Sequence, residues 1–70
     1  MMVVLGYSPQ DQQLKIAEGP AIYTYAGVTP FQHKRVKLLV HKAQGKAWQE
    51  LRKYELIARK IVTPDNPEIV

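Results

Sequence analysis

Few side chains in this chain could do covalent chemistry. Its one serine, Ser8, has no histidine at short spacing, and there is no cysteine; Asp11, Glu18, Glu50 and Glu55 form no paired arrangement. Nucleophilic and general acid–base catalysis therefore both lack an assembled set of groups. His33 and His41 stand eight residues apart, about two helical turns and too far for the i, i+4 chelation of one metal. No Asp or Glu nearby supplies a further ligand, and the glycine patterns of nucleotide-binding loops are absent. The expectation is a protein that is not an enzyme, with no metal, no cofactor and no small-molecule substrate.

Binding is the chemistry that remains. The segment from His33 to Lys60 holds nine of the ten basic residues against only Glu50 and Glu55, a formal +7, whereas residues 1–32 carry −1 and residues 61–70 carry −2. Such a distribution selects acidic partners. Lys34, Arg35, Lys37, Lys42, Lys46, Arg52 and Lys53 are the candidate phosphate contacts of a nucleic-acid surface. The same charges also suit a solvated face that keeps a small domain soluble. Tyr23 and Tyr25 lie two residues apart and so share one face of a strand. That is the spacing with which RNA-binding sheets stack unpaired bases, and equally the spacing of a core face packed beneath helices.

A second set of residues points to a protein partner. Trp48, Arg52 and Leu38 have the character of interface anchors, and Asp65, Glu68, Ile69 and Val70 give the C-terminal segment acidic and aliphatic groups that can order on a partner. Trp48 also falls on an apolar helical stripe, where packing alone accounts for it.

These residues need elements to hold them. A chain of 70 residues is one small domain near the lower size limit for folding without disulfides or metal. Met2 to Tyr7, Leu14 to Glu18 and Ala21 to Ala26 read as three short strands punctuated by Ser8-Pro9-Gln10-Asp11 and Gly19-Pro20, an antiparallel meander. Thr29-Pro30 is a helix start, Thr29 capping and Pro30 at the first helical position. Val36, Leu39, Val40 and Ala43 then form a core stripe with Lys34, Arg35, Lys37, His41, Lys42 and Lys46 opposite; Leu38 falls among the basic residues. Ala47, Trp48, Leu51, Tyr54, Ala58 and Ile61 continue at helical spacing. Gly45 fits either a left-handed helix terminus or a glycine tolerated within one long helix, and the broken form covers a small sheet better. Thr63-Pro64-Asp65-Asn66-Pro67 stops the helix. The expected fold is α+β: a three-stranded antiparallel meander, then one broken or two consecutive helices packed on one face. Residues 1–62 form the domain and residues 63–70 a flexible tail. No stretch approaches the length of a membrane span or a signal-peptide core, so the expected setting is the cytoplasm, with no membrane partner.

The order of short motifs resembles the KTSC domain, a small module found alone in bacteria and phages and at the C-terminus of some lysyl-tRNA synthetases. The matching residues are Gly6-Tyr7, Tyr23-Thr24-Tyr25, Gly27-Val28-Thr29-Pro30, Ala43-Gln44-Gly45-Lys46-Ala47-Trp48 and Leu51-Arg52-Lys53-Tyr54, across residues 4–54. Two positions depart: Ala43 stands where the family usually has serine, and Gln49 where it has asparagine. The resemblance implies a non-catalytic module for which RNA binding is suspected, and it carries over no catalytic residue.

The resulting expectation is a small basic binding module acting on transcription or translation machinery and contacting RNA or another nucleic acid through its helical face. The alternative is a protein-binding regulator, for example phage-encoded and working in a bacterial host's cytoplasm, that docks on bacterial RNA polymerase and modulates transcription.

Overall fold

The computed structural model describes residues 1–62. The expected tail, residues 63–70, and with it Asp65, Glu68, Ile69 and Val70, lies outside the described residues. Three strands open the chain, β1 (Met2–Ser8), β2 (Gln13–Glu18) and β3 (Ala21–Ala26), followed by two helices, α1 (Pro30–Lys42) and α2 (Gln44–Leu51), and a fourth strand, β4 (Glu55–Ile61). The sheet is antiparallel throughout, in the order β1-β2-β3-β4. The α+β architecture of a meander followed by two helices is the one the residue patterning calls for.

Alternation along the strands decides what is buried. Leu14 and Ile16 of β2 stand opposite Tyr25 and Tyr23 of β3, so all four point to one face. On that face Met2, Leu14, Ile16 and Tyr25 pack with Val28, Val36, Ala47 and Leu51 into one buried cluster. The other face carries Val3, Lys15, Ala17, Ile22 and Thr24, and neither α-helix of the described residues belongs to it, since the buried residues of both join the first face. Two turns between strands use the left-handed region: Gln12 at φ 54° and Gly19 at φ 57°. Glycine adopts that geometry freely, whereas Gln12 meets its Cβ penalty there.

Thr29 and Pro30 start α1 as their chemistry dictates. The Thr29 hydroxyl accepts from the Gln32 amide at 3.2 Å and the Gln32 side chain accepts from the Thr29 amide at 3.0 Å, a reciprocal pair that satisfies two otherwise unpaired donors. The helical run then breaks at Ala43, whose φ of −156° and ψ of 83° leave the helical region. Gly45 does not make the break; it lies inside the first turn of α2. At the break, Gln44 reaches back to the first strand and bonds both the amide and the carbonyl of Met2, each at 3.3 Å.

Residues 55–61 depart from the expected helix. Tyr54, Ala58 and Ile61 keep helical spacing, yet the chain turns after Leu51 and pairs in extended form with β3, Tyr23 opposite Arg59 and Thr24 opposite Ala58. The physical reason is the open edge of β3, whose backbone groups need a partner. Pairing there outweighs a periodicity shared by only a few residues, and Ile57, Ile61 and Val62 are β-branched residues suited to a strand. All seven residues of β4 are exposed.

The core therefore lies under β1, β2 and β3, and substitutions should divide accordingly. Ile16→Ala is expected to cost about 2–5 kcal/mol, and Ile57→Thr, which is 45% exposed, to stay within about 0.5 kcal/mol. Urea unfolding midpoints check both.

Candidate nucleic-acid interface

Helical rotation places the charge. With 3.6 residues per turn, the core side of α1 holds Val36, fully buried, flanked by the half-buried Leu39 and Val40. The outer side presents Lys34, Arg35, Lys37, Leu38, His41 and Lys42, all exposed. Lys46 on α2 and Arg52 and Lys53 in the turn after it are exposed as well. All seven candidate basic residues thus reach solvent from the helical layer. Leu38, 54% exposed, sits in a shallow depression shared with Lys34, Lys37 and His41. Phe31, 75% exposed at the start of α1, lies on the same side of the helix as Leu38.

Compensation of these charges is sparse. Among the described residues the ion pairs are Met1 amine with Glu18, Arg35 with Glu50, and Lys53 with Glu50. Lys34, Lys37, Lys42, Lys46 and Arg52 have no carboxylate partner among the described residues. Lys34, Lys37 and Lys42, left in solvent on one helix, raise the local potential over the outer side of α1.

The two tyrosines divide differently. Tyr25 is buried at 7% exposure in the core cluster, and its phenol is pushed up by burial and by the neighbouring Tyr23. It is not presented for base stacking. Tyr23 is half-buried and meets Trp48 edge-on, ring centroids 5.6 Å apart at 86°, the favoured aromatic geometry. The helices cover the tyrosine face, which excludes an exposed aromatic platform on this side of the sheet.

Trp48 and Arg52 do come together. With Tyr25, Leu51, Tyr54 and Leu56 they line a groove of about 370 Å³ between α2 and β4. Leu38 does not belong to that groove, so the expected protein-binding residues split into two separate surfaces.

One hub escaped the sequence. Glu50 is only 7% exposed; it accepts from the Tyr54 hydroxyl at 2.6 Å, Arg35 Nε at 3.2 Å and Lys53 Nζ at 3.3 Å. The Tyr54 bond is the main cause holding its carboxyl below the ordinary range, burial opposes it, and Lys53 and Arg35 assist. Burial and the adjacent Glu50 carboxylate drive the Tyr54 phenol far upward. The i, i+3 and i, i+4 spacing of Glu50 with Lys53 and Tyr54 was legible as a helical neighbourhood. Arg35, fifteen residues away, was not. Arg35 and Lys53 are consequently tethered, while Lys34, Lys37 and Lys42 have no such tie among the described residues. His33 stacks on Tyr7 with centroids 4.2 Å apart; burial and then the Lys37 charge push its pKa down.

Because the folded Glu50 carboxyl titrates below its ordinary 4.5, its contribution is complete above that pH and is lost as pH falls through the folded value. Glu50→Gln is expected to cost about 1–2 kcal/mol at neutral pH, discounted because both cationic partners are largely solvated. It should also flatten the loss of stability on the acid side. Thermal melts from pH 7 down to pH 3 check both effects.

No family model, no curated protein and no solved structure matches this chain.

Proposed function

We propose that this chain is a non-enzymatic binding module that holds RNA, or another nucleic acid, by its phosphates against the outer side of α1. The observation that carries the reading is that, of the eight Lys and Arg side chains without a carboxylate partner among the described residues, three, Lys34, Lys37 and Lys42, stand on the outer side of one helix. Neutralising phosphates with such residues releases condensed counterions and gives affinity that falls steeply with salt. Phe31, in place of the covered tyrosines, is the exposed aromatic on this side able to stack on an unpaired base. The KTSC-like order of motifs supports the same reading, since RNA binding is suspected for that family. A module of this kind would work in the cytoplasm, attached to transcription or translation machinery.

The groove joining Trp48 to Arg52 favours a second reading. There the chain is a regulator docking on an acidic protein surface, bacterial RNA polymerase being one, through an aromatic and an arginine anchor.

Replacing Lys34, Lys37 and Lys42 together by glutamine decides between them. On a fluorescein-labelled oligouridylate, the nucleic-acid reading predicts weaker binding and a log–log salt slope shallower by about 2, the single-strand value for three phosphates. All three side chains are exposed, so the fold should be unaffected. An unchanged slope contradicts the reading.

A further inference from the structure

β1 is an edge of the sheet, and α1 lies beside it. Between them runs a groove of about 480 Å³ lined by Met1, Val4, Lys37, Val40, His41 and Gln44, among other residues, and among the described residues no carboxylate lines it. Its floor is aliphatic and its rim is basic.

The two bonds that Gln44 makes to Met2 tell how this edge can be used. The side-chain amide donates to the Met2 carbonyl oxygen and accepts from the Met2 amide, each at 3.3 Å. A neighbouring antiparallel strand makes that same pair of bonds to an outward-facing residue. Outward-facing residues alternate, so Val4, two positions on and opposite Ile16 in the ladder, turns its own N–H and C=O away from β2 and toward the groove. Beyond Val4 the register shifts at a bulge before Gly6, which ends the regular edge. The available ladder is short, begins beside Gln44 and opens onto the aliphatic floor.

We propose that this groove captures an extended acidic peptide segment, which adds as a short strand along β1 at Val4. One aliphatic side chain of the peptide seats against Val4 and Val40. Residues two positions to either side point the same way in an extended chain, and their carboxylates meet Lys37 and His41. Main-chain pairing supplies register and the side-chain pockets supply specificity, as in other strand-addition sites. The aliphatic floor asks for a hydrophobic side chain, and the basic rim free of carboxylates asks for acidic flanks. The inference is independent of nucleic-acid binding, although Lys37 borders both surfaces.

The probe is a fluorescein-labelled heptapeptide with valine at its centre, glutamate two residues to either side, and serine or threonine elsewhere. It is titrated into the ¹⁵N-labelled full chain. The proposal predicts saturable binding that moves the amide resonances of Val4 and Val40 and the side-chain amide of Gln44. Methylating the backbone nitrogen of the peptide's central valine should weaken binding about tenfold, by removing a ladder donor without altering the protein. Lys37→Glu should weaken it by a similar factor of about ten through loss of a charge-assisted contact. A peptide with lysine in place of both glutamates should not bind. The proposal is overturned by the absence of saturable binding at millimolar peptide, by equal binding of the lysine peptide, by indifference to the N-methyl group, or by shifts confined to β4. Oligouridylate binding bears only on the nucleic-acid reading, so the two can fail separately.

Discussion

One constraint governs this small domain: among the described residues, its two helices cover one face of the sheet. The face chosen is the one bearing Leu14, Ile16 and Tyr25, which close against Val36, Ala47 and Leu51. A chain this short buries a modest fraction of its surface, so the large side chains of that face go to the core. The rest follows from this packing. The apolar side of α1 must face inward, which turns Lys34, Lys37 and Lys42 outward, and α2, of eight residues, leaves every residue of β4 exposed among the described residues.

The helical layer is held in place by few polar ties, each from a different part of the chain. Gln44 fastens the helix break to the start of β1, and Glu50 fastens α1, through Arg35, to the turn that leads into β4, through Tyr54. A buried carboxylate is tolerated only when its lone pairs are satisfied, and Glu50 has three donors. By engaging Arg35 and Lys53 it also divides the basic residues into two kinds: those tied to the fold and those without a carboxylate partner among the described residues. The seven cations of residues 33–60 not paired with Glu50 are spread over α1, α2, the turn after it and β4, with Lys34, Lys37 and Lys42 sharing α1.

Much of the architecture was legible in the residues because it is local. Alternation in Leu14-Lys15-Ile16 and in Tyr23-Thr24-Tyr25 identified the strands and which side chains share a face, though not which face turns inward, and Thr29-Pro30 marked the helix start to the residue. What could not be read was set by contacts distant in sequence. The strand at 55–61 forms because β3 offers an open edge thirty-odd positions away in the ladder, and nothing in the local pattern of Tyr54, Ala58 and Ile61 announces it. Arg35 meets Glu50, and Gln44 meets Met2, for the same reason. The basic face was visible as composition and its outward orientation as a helical wheel. Which of the basic residues are tied down, and that Tyr25 is closed to a ligand while Phe31 is open, required the packing.

If the chain binds nucleic acid as proposed, the ligand contacts the outer side of α1 and never the tyrosine face of the sheet. An amide chemical-shift titration of the ¹⁵N-labelled chain with an oligouridylate at low salt tests it most directly. The account predicts shifts at Phe31, Lys34, Lys37, Leu38, His41 and Lys42, with Leu14, Ile16, Tyr23 and Tyr25 unmoved. Shifts centred on Tyr23 and Tyr25, with α1 silent, would contradict it.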